Sequence, residues 1–135
     1  MIADWAKKYV GIPFQAHGRT MEGFDCWGCV RLVHEQEFGI VLPELDGNYT
    51  ILREISSRSK LIERNITDIW VKMTAPKPGT VILTKMKGLP IHVMVYVGDN
   101  YALDTTKIRG HCRLSKITGM VYKNAIHAMY RHRQI

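Results

Sequence analysis

The sequence predicts an α+β domain, and three observations predict it. Apolar residues recur at helical spacing between Cys26 and Glu37, and after Pro78-Gly79 the pattern turns to strand alternation. Gly98-Asp99-Asn100 then reads as a hairpin turn between two β-rich runs. Helices first and strands later is the α+β order. The 135 residues fit one domain, 1–135, large enough to bury a core. Apolar residues make up 46% and charged residues 23%, which excludes disordered and fibrous classes. No apolar run reaches the ~20 residues of a membrane span, so membrane insertion is not expected.

Residues 3–9 fit a short amphipathic helix, with Ala3, Ala6 and Val10 on one side of Trp5 and Tyr9. Gly11-Ile12-Pro13 breaks it, and residues 18–23 read as a loop. Asp25 is an N-cap whose carboxylate can accept first-turn amides. The helix behind it lines up Cys26, Cys29, Val30, Val33 and Glu37, and Phe38-Gly39 followed by Pro43 ends it. A second helix is expected over residues 49–63. Strands are expected at 80–84, 92–97, 101–105, 110–114, 120–122 and 128–131. In the second of these, His92, Met94 and Tyr96 share one face and Val93, Val95 and Val97 the other.

Lys plus Arg is 19 and Asp plus Glu is 12, a net charge of +7 that favours anionic partners. The basic residues are spread along the chain, with only Lys7-Lys8 and Arg131-His132-Arg133 clustered. Without zinc-finger spacing or an RNA-binding aromatic signature, nucleic acid is not an expected partner. Three cysteines cannot build a disulfide framework, which favours a reducing compartment. The opening MIADWAKKYVGIPF lacks the apolar stretch of a secretory signal.

Cys26 carries the most chemistry. It follows the N-cap, where free amides and the positive end of the helix dipole favour a thiolate, and the loop Gly23-Phe24-Asp25 leaves room for a substrate. A buried structural cysteine is the bland alternative. Cys26 and Cys29 form a C-x-x-C. A redox motif would follow a strand of a βαβ unit, and a zinc knuckle would need Cys112 with His111 or His92 at unusual spacing. Cys29 lies on the apolar stripe, so core packing suits it best. His92 opens a strand after Pro90-Ile91, a rigid mount for an imidazole that takes a thiol proton and returns it to a leaving amine. Asp104 follows the hairpin and can reach His92 from the adjacent strand, where a polar group would set the imidazole's orientation.

These residues resemble a family. Gly-Ile-Pro-Phe (11–14), Gly-Arg (18–19), Gly-Phe-Asp-Cys-Trp-Gly (23–28), Val-Arg-Leu-Val (30–33), Phe-Gly-Ile (38–40) and Leu-Pro (42–43) look like the NlpC-type cell-wall cysteine peptidases, in the branch found among phage tail and tail-assembly proteins. Pro-Lys-Pro-Gly-Thr-Val-Ile-Leu (76–83), His-Val-Met-Val-Tyr-Val-Gly-Asp (92–99) and Leu-Asp-Thr (103–105) continue the match in order. The resemblance is weakest over 44–72.

The resemblance implies a papain-like fold with the nucleophile's helix packed on an antiparallel sheet. It implies Cys26 as nucleophile, His92 as base and Asp104 as third member, a position more often His, Asn or Gln. An aspartate there also favours a thiolate–imidazolium pair. The implied reaction is hydrolysis of an amide bond in peptidoglycan stem peptides, with no metal or organic cofactor. The implied setting is a phage tail tip, among other tail proteins. The chain would be made in the host cytoplasm and act at the bacterial wall. A catalytically idle structural tail protein on the same fold is the alternative. Phe14 stands where many members carry a tyrosine near the thiol. His17 or Arg19 is then a candidate second oxyanion donor or a contact for a substrate carboxylate, and Trp27 lines the cleft or packs on the sheet. Trp5, Trp70 and Tyr130 read as core or half-buried, and His34, His111, His127 and His132 as surface residues.

Overall fold

The computed structural model describes residues 1–42, 70–86 and 89–135. The helix expected over 49–63 lies outside them. The expected helix over 3–9 is a single 3-10 segment, Asp4–Lys8, that buries Ala6 and ends with the Tyr9 amide on the Ala6 carbonyl. So short a segment makes too few i→i−4 bonds to outweigh the nucleation cost of an α-helix. The expected loop contains a miniature hairpin, β1 (Arg19–Thr20) with β2 (Gly23–Phe24).

Helix α1 spans Cys26–Phe38, with Asp25 accepting from the Gly28 amide and Gly39 closing it in the left-handed region, φ 68°. Among the described residues six strands form an antiparallel sheet: β3 (Trp70–Lys72), β4 (Val81–Met86), β5 (Leu89–Gly98), β6 (Tyr101–Thr105), β7 (Cys112–Lys116) and β8 (Ile126–His132), in the order β3-β8-β4-β5-β6-β7. The β5–β6 turn puts Asp99 and Asn100 at positive φ, 52° and 67°, the backbone that matches the twist of a tight hairpin. The strand expected at 120–122 is instead a turn, in which Tyr122 and Lys123 bond the Gly119 carbonyl. The chain has to leave the β7 edge there and cross to the far side of β4, so it cannot continue straight.

The alternation in β5 divides two apolar clusters. Val93, Val95 and Val97 join Val30, Val33, Phe24 and Leu103 in the main core, to which α1 contributes its buried face. Met94 and Tyr96 join Ile82, Ala102 and Ile117 in the second cluster. Trp5, Trp70 and Tyr130 are half-buried. Two of the four histidines expected at the surface are buried instead, His34 at 0% exposure and His132 at 9%. Position 34 lies one turn beyond Val30 on the core side of α1, and its Nδ1 donates to the Val30 carbonyl at 2.8 Å. Its ring packs against Phe38, Trp70 and His132, and burial pushes its pKa down to about 4.

Candidate active site

The start of α1 is held by one carboxylate. Asp25 is buried; its Oδ1 accepts from the Gly28 amide and from Arg19 Nη1, each at 2.7 Å, and its Oδ2 accepts from the His17 amide at 3.0 Å. Arg19 is thereby the ion-pair partner of the cap. Its placement matches no exposed substrate contact. The loop presses so closely on the helix that a Cβ at position 28 would lie 2.1 Å from the Gly18 carbonyl oxygen, which explains a glycine two residues after Cys26. Phe14 is half-buried and bridges Phe24. Trp27 is buried in the main core, so of its two expected roles the packing role is the one occupied.

Cys26, His92 and Asp104 come together from α1, β5 and β6. Asp104 Oδ1 lies 2.7 Å from His92 Nε2, and the Cys26 side chain is close enough to act electrostatically on the imidazole, whose Nδ1 is the nitrogen that Asp104 leaves unoccupied. All three are buried: Cys26 is 5% exposed, His92 8% and Asp104 2%. Burial opposes charge on His92, but the hydrogen bonds and charges of Asp104 and Cys26 outweigh it and push the pKa up to about 9. Burial likewise opposes ionisation of Asp104, yet His92, Tyr122 and Ser115 hold its carboxyl below the usual range. The arrangement is a cysteine side chain beside an imidazole whose far nitrogen is held by a carboxylate.

Two residues of this network escaped sequence reasoning. Ser115 Oγ donates to Asp104 Oδ2 at 2.7 Å and the Tyr122 hydroxyl donates to the same oxygen at 2.6 Å. Ser115 stands opposite Ala102 across β6–β7, and a serine on a strand face carries no signal in one dimension. Tyr122 was hidden by the expectation of a strand where the chain turns. Cys29 packs in the core, where the Cys112 hydrogen bond and burial push its thiol up. All three cysteines are free.

The model of the NlpC/P60 family matches residues 11–131. The chain belongs to the NlpC/P60 family. Gamma-DL-glutamyl hydrolase of Bacillus subtilis (strain 168) is 51% identical over 43 residues, 31% of this chain and 10% of that protein. The match thus spans about a tenth of that relative's length. The crystal structure of the NlpC/p60 domain of the peptidoglycan hydrolase SagA superposes with a TM-score of 0.60 at 18% identity, covering 92% of this chain and 90% of that one. An NlpC/P60 family protein from Bacillus cereus gives a TM-score of 0.66 at 19% identity, over 93% of this chain and 37% of the other. A Staphylococcus aureus protein described as similar to lipoprotein, NLP/P60 family, gives 0.62 at 18%, over 95% and 39%. At these identities the likeness is one of fold, and the fold is the papain-like α+β arrangement.

Proposed function

We propose that the chain is a cysteine peptidase that hydrolyses amide bonds of peptidoglycan stem peptides, with Cys26 as nucleophile, His92 as base and Asp104 as its orienting partner. The observation that carries this reading is the His92–Asp104 pair, 2.7 Å apart, with the Cys26 side chain at the first position of α1 close enough to act on the imidazole. His92 holds the thiol proton, and the Cys26 sulfur attacks the amide carbonyl. The Cys26 amide at the helix start donates to the developing oxyanion. The imidazolium then protonates the leaving amine, and water releases the acyl group from sulfur.

Motif likeness supports a place for this activity at a phage tail tip, among other tail proteins, and the +7 charge suits an anionic wall. Phe14 in place of a tyrosine favours the second reading, an idle tail component. One experiment separates them: incubation of the protein and Cys26→Ala with purified sacculi, and mass spectrometry of the soluble fragments. New stem-peptide ends that need Cys26 are expected. Identical fragments from both proteins would rule out the thiol mechanism.

A further inference from the structure

The chain has three cysteines, and the fold gathers all three into the main core cluster. Cys26 and Cys29 lie one turn apart on α1, where residues i and i+3 share a face. Cys112 arrives from β7, the strand at one edge of the sheet. Both of its backbone groups are fixed: the amide donates to the Ile12 carbonyl and the carbonyl accepts from the Gly11 amide, each at 2.8 Å. Cys29 is the middle member, close enough for the side chains of both Cys112 and Cys26 to act on it. Thr105 stands directly opposite Cys112 in the β6–β7 register. Its Oγ1 is buried and makes no hydrogen bond of ordinary geometry among the described residues, yet it favours the charged form of either deep thiol. The Cys29 contact lowers the Cys112 pKa against its burial, with help from Thr105, whereas the same contact and burial push the Cys29 thiol up. Access to solvent is graded in the same order, with Cys26 5% exposed, Cys29 2% and Cys112 0%. Cys26, at the helix start beside His92, is the sulfur that a small oxidant meets first.

We propose that Cys26, Cys29 and Cys112 form a thiol relay, in which hydrogen peroxide oxidises Cys26 and the oxidation ends as a Cys29–Cys112 disulfide with the Cys26 thiol restored. The relay rests on the peptidase reading for the reactivity of Cys26 alone. In the first step the peroxide transfers one oxygen to the Cys26 sulfur, giving a sulfenic acid and releasing water. The Cys29 sulfur then attacks that of Cys26. The S–O bond breaks, the Cys29 proton leaves with the hydroxyl as water, and a Cys26–Cys29 disulfide forms. Last, the Cys112 sulfur attacks Cys29, the Cys26–Cys29 bond breaks, and Cys26 departs with the electron pair and takes up the proton that Cys112 gave up. One peroxide is reduced to two waters, and two core thiols become a disulfide between α1 and β7. The readier thiolate of the deep pair is the one that attacks last.

The test treats the intact protein, Cys29→Ala and Cys112→Ala with equimolar hydrogen peroxide, then blocks free thiols with iodoacetamide and maps the peptides without reduction. In wild type the map is expected to show a Cys29–Cys112 disulfide, with Cys26 alkylation within about twofold of the untreated protein. In Cys112→Ala the relay stops one step earlier. Cys26 alkylation should then fall about tenfold and return with dithiothreitol, as the Cys26–Cys29 disulfide is reduced. In Cys29→Ala it should fall as far, with the sulfenic acid captured by dimedone. A reactive Cys26 in untreated wild type with no Cys29–Cys112 disulfide after peroxide overturns the relay alone. So does a Cys26–Cys29 disulfide that persists as the wild-type end product, or a Cys26 that survives peroxide in the folded variants as well as in wild type. Should circular dichroism show a variant unfolded, the wild-type map decides by itself. A Cys26 inert to iodoacetamide in untreated, folded wild type overturns the peptidase reading and the relay with it.

Discussion

Asp104 Oδ1 lies 2.7 Å from His92 Nε2, and both side chains are buried. Opposed charges out of water are stable only if every remaining lone pair is met, and here the second carboxylate oxygen takes donors from Ser115 and Tyr122. The carboxylate is therefore held from three directions, by β5, by β7 and by the turn before β8. That is the physical basis for an imidazole with one allowed orientation and a stabilised charged form.

The raised His92 pKa gives a pH signature. The imidazolium persists until about pH 9, so kcat/KM on a wall peptide is expected to fall on the alkaline side near that value. In Asp104→Asn the alkaline limb should move to lower pH, because the carboxylate's hydrogen bond and charge help to raise His92. The rate should drop on the order of 10²- to 10⁴-fold as the imidazole loses its oriented tautomer. An alkaline limb that stays in place would show that Asp104 does not tune His92.

Tyr122→Phe and Ser115→Ala each remove one donor to Asp104. Each is expected to cost about 1.5–3 kcal/mol of stability, the range for a hydrogen bond to a charged group, measured by urea denaturation at pH 7. Activity should fall about tenfold in Tyr122→Phe with Cys26 still alkylated by iodoacetamide. Wild-type stability and rate in both variants would mean that the Asp104 network is idle.

Gly28→Ala tests the close approach of loop and helix. The added methyl would meet the Gly18 carbonyl oxygen at 2.1 Å, and neither partner is a flexible side-chain end. Overpacking of this kind costs about 1–3 kcal/mol, and here the shift falls on the turn that presents Cys26. Loss of thiol reactivity is expected to accompany loss of stability. A variant with the parental denaturation midpoint would contradict the observed packing.

His34 makes folding sensitive to acid. Its folded pKa, about 4, lies below the ~6.5 of an unfolded histidine, so the neutral ring's contribution is complete above pH 6.5 and is lost as pH falls towards 4. The loss is on the order of 3 kcal/mol. In His34→Leu the slope of denaturation midpoint against pH across this window should flatten. His92 acts in the opposite sense, stabilising below pH 6.5 and losing its contribution as pH rises through about 9. An identical acid slope in His34→Leu would assign the loss to other groups.

Much of the site was legible in one dimension. Asp25, Cys26 and Gly39 carry local signals, a cap, a helix start and a helix stop, because each is governed by backbone geometry within one turn of chain. The face alternation of residues 92–97 and the turn at Asp99-Asn100 are local in the same sense, and together they delivered the spacing that lets Asp104 meet His92. What needed the tertiary structure was every relation between distant segments. His34 is buried because β3 and β8 bring Trp70 and His132 over it, and nothing near position 34 encodes that. Arg19 pairs with Asp25 only once β1 and β2 fold the loop back on the helix. Tyr122 reaches Asp104 because the chain must turn there to cross the sheet, and Arg113 comes beside the same carboxylate by register alone. Local propensities set the elements. Long-range packing, which fixes partners by burial and charge rather than by sequence distance, decided which side chains share the site.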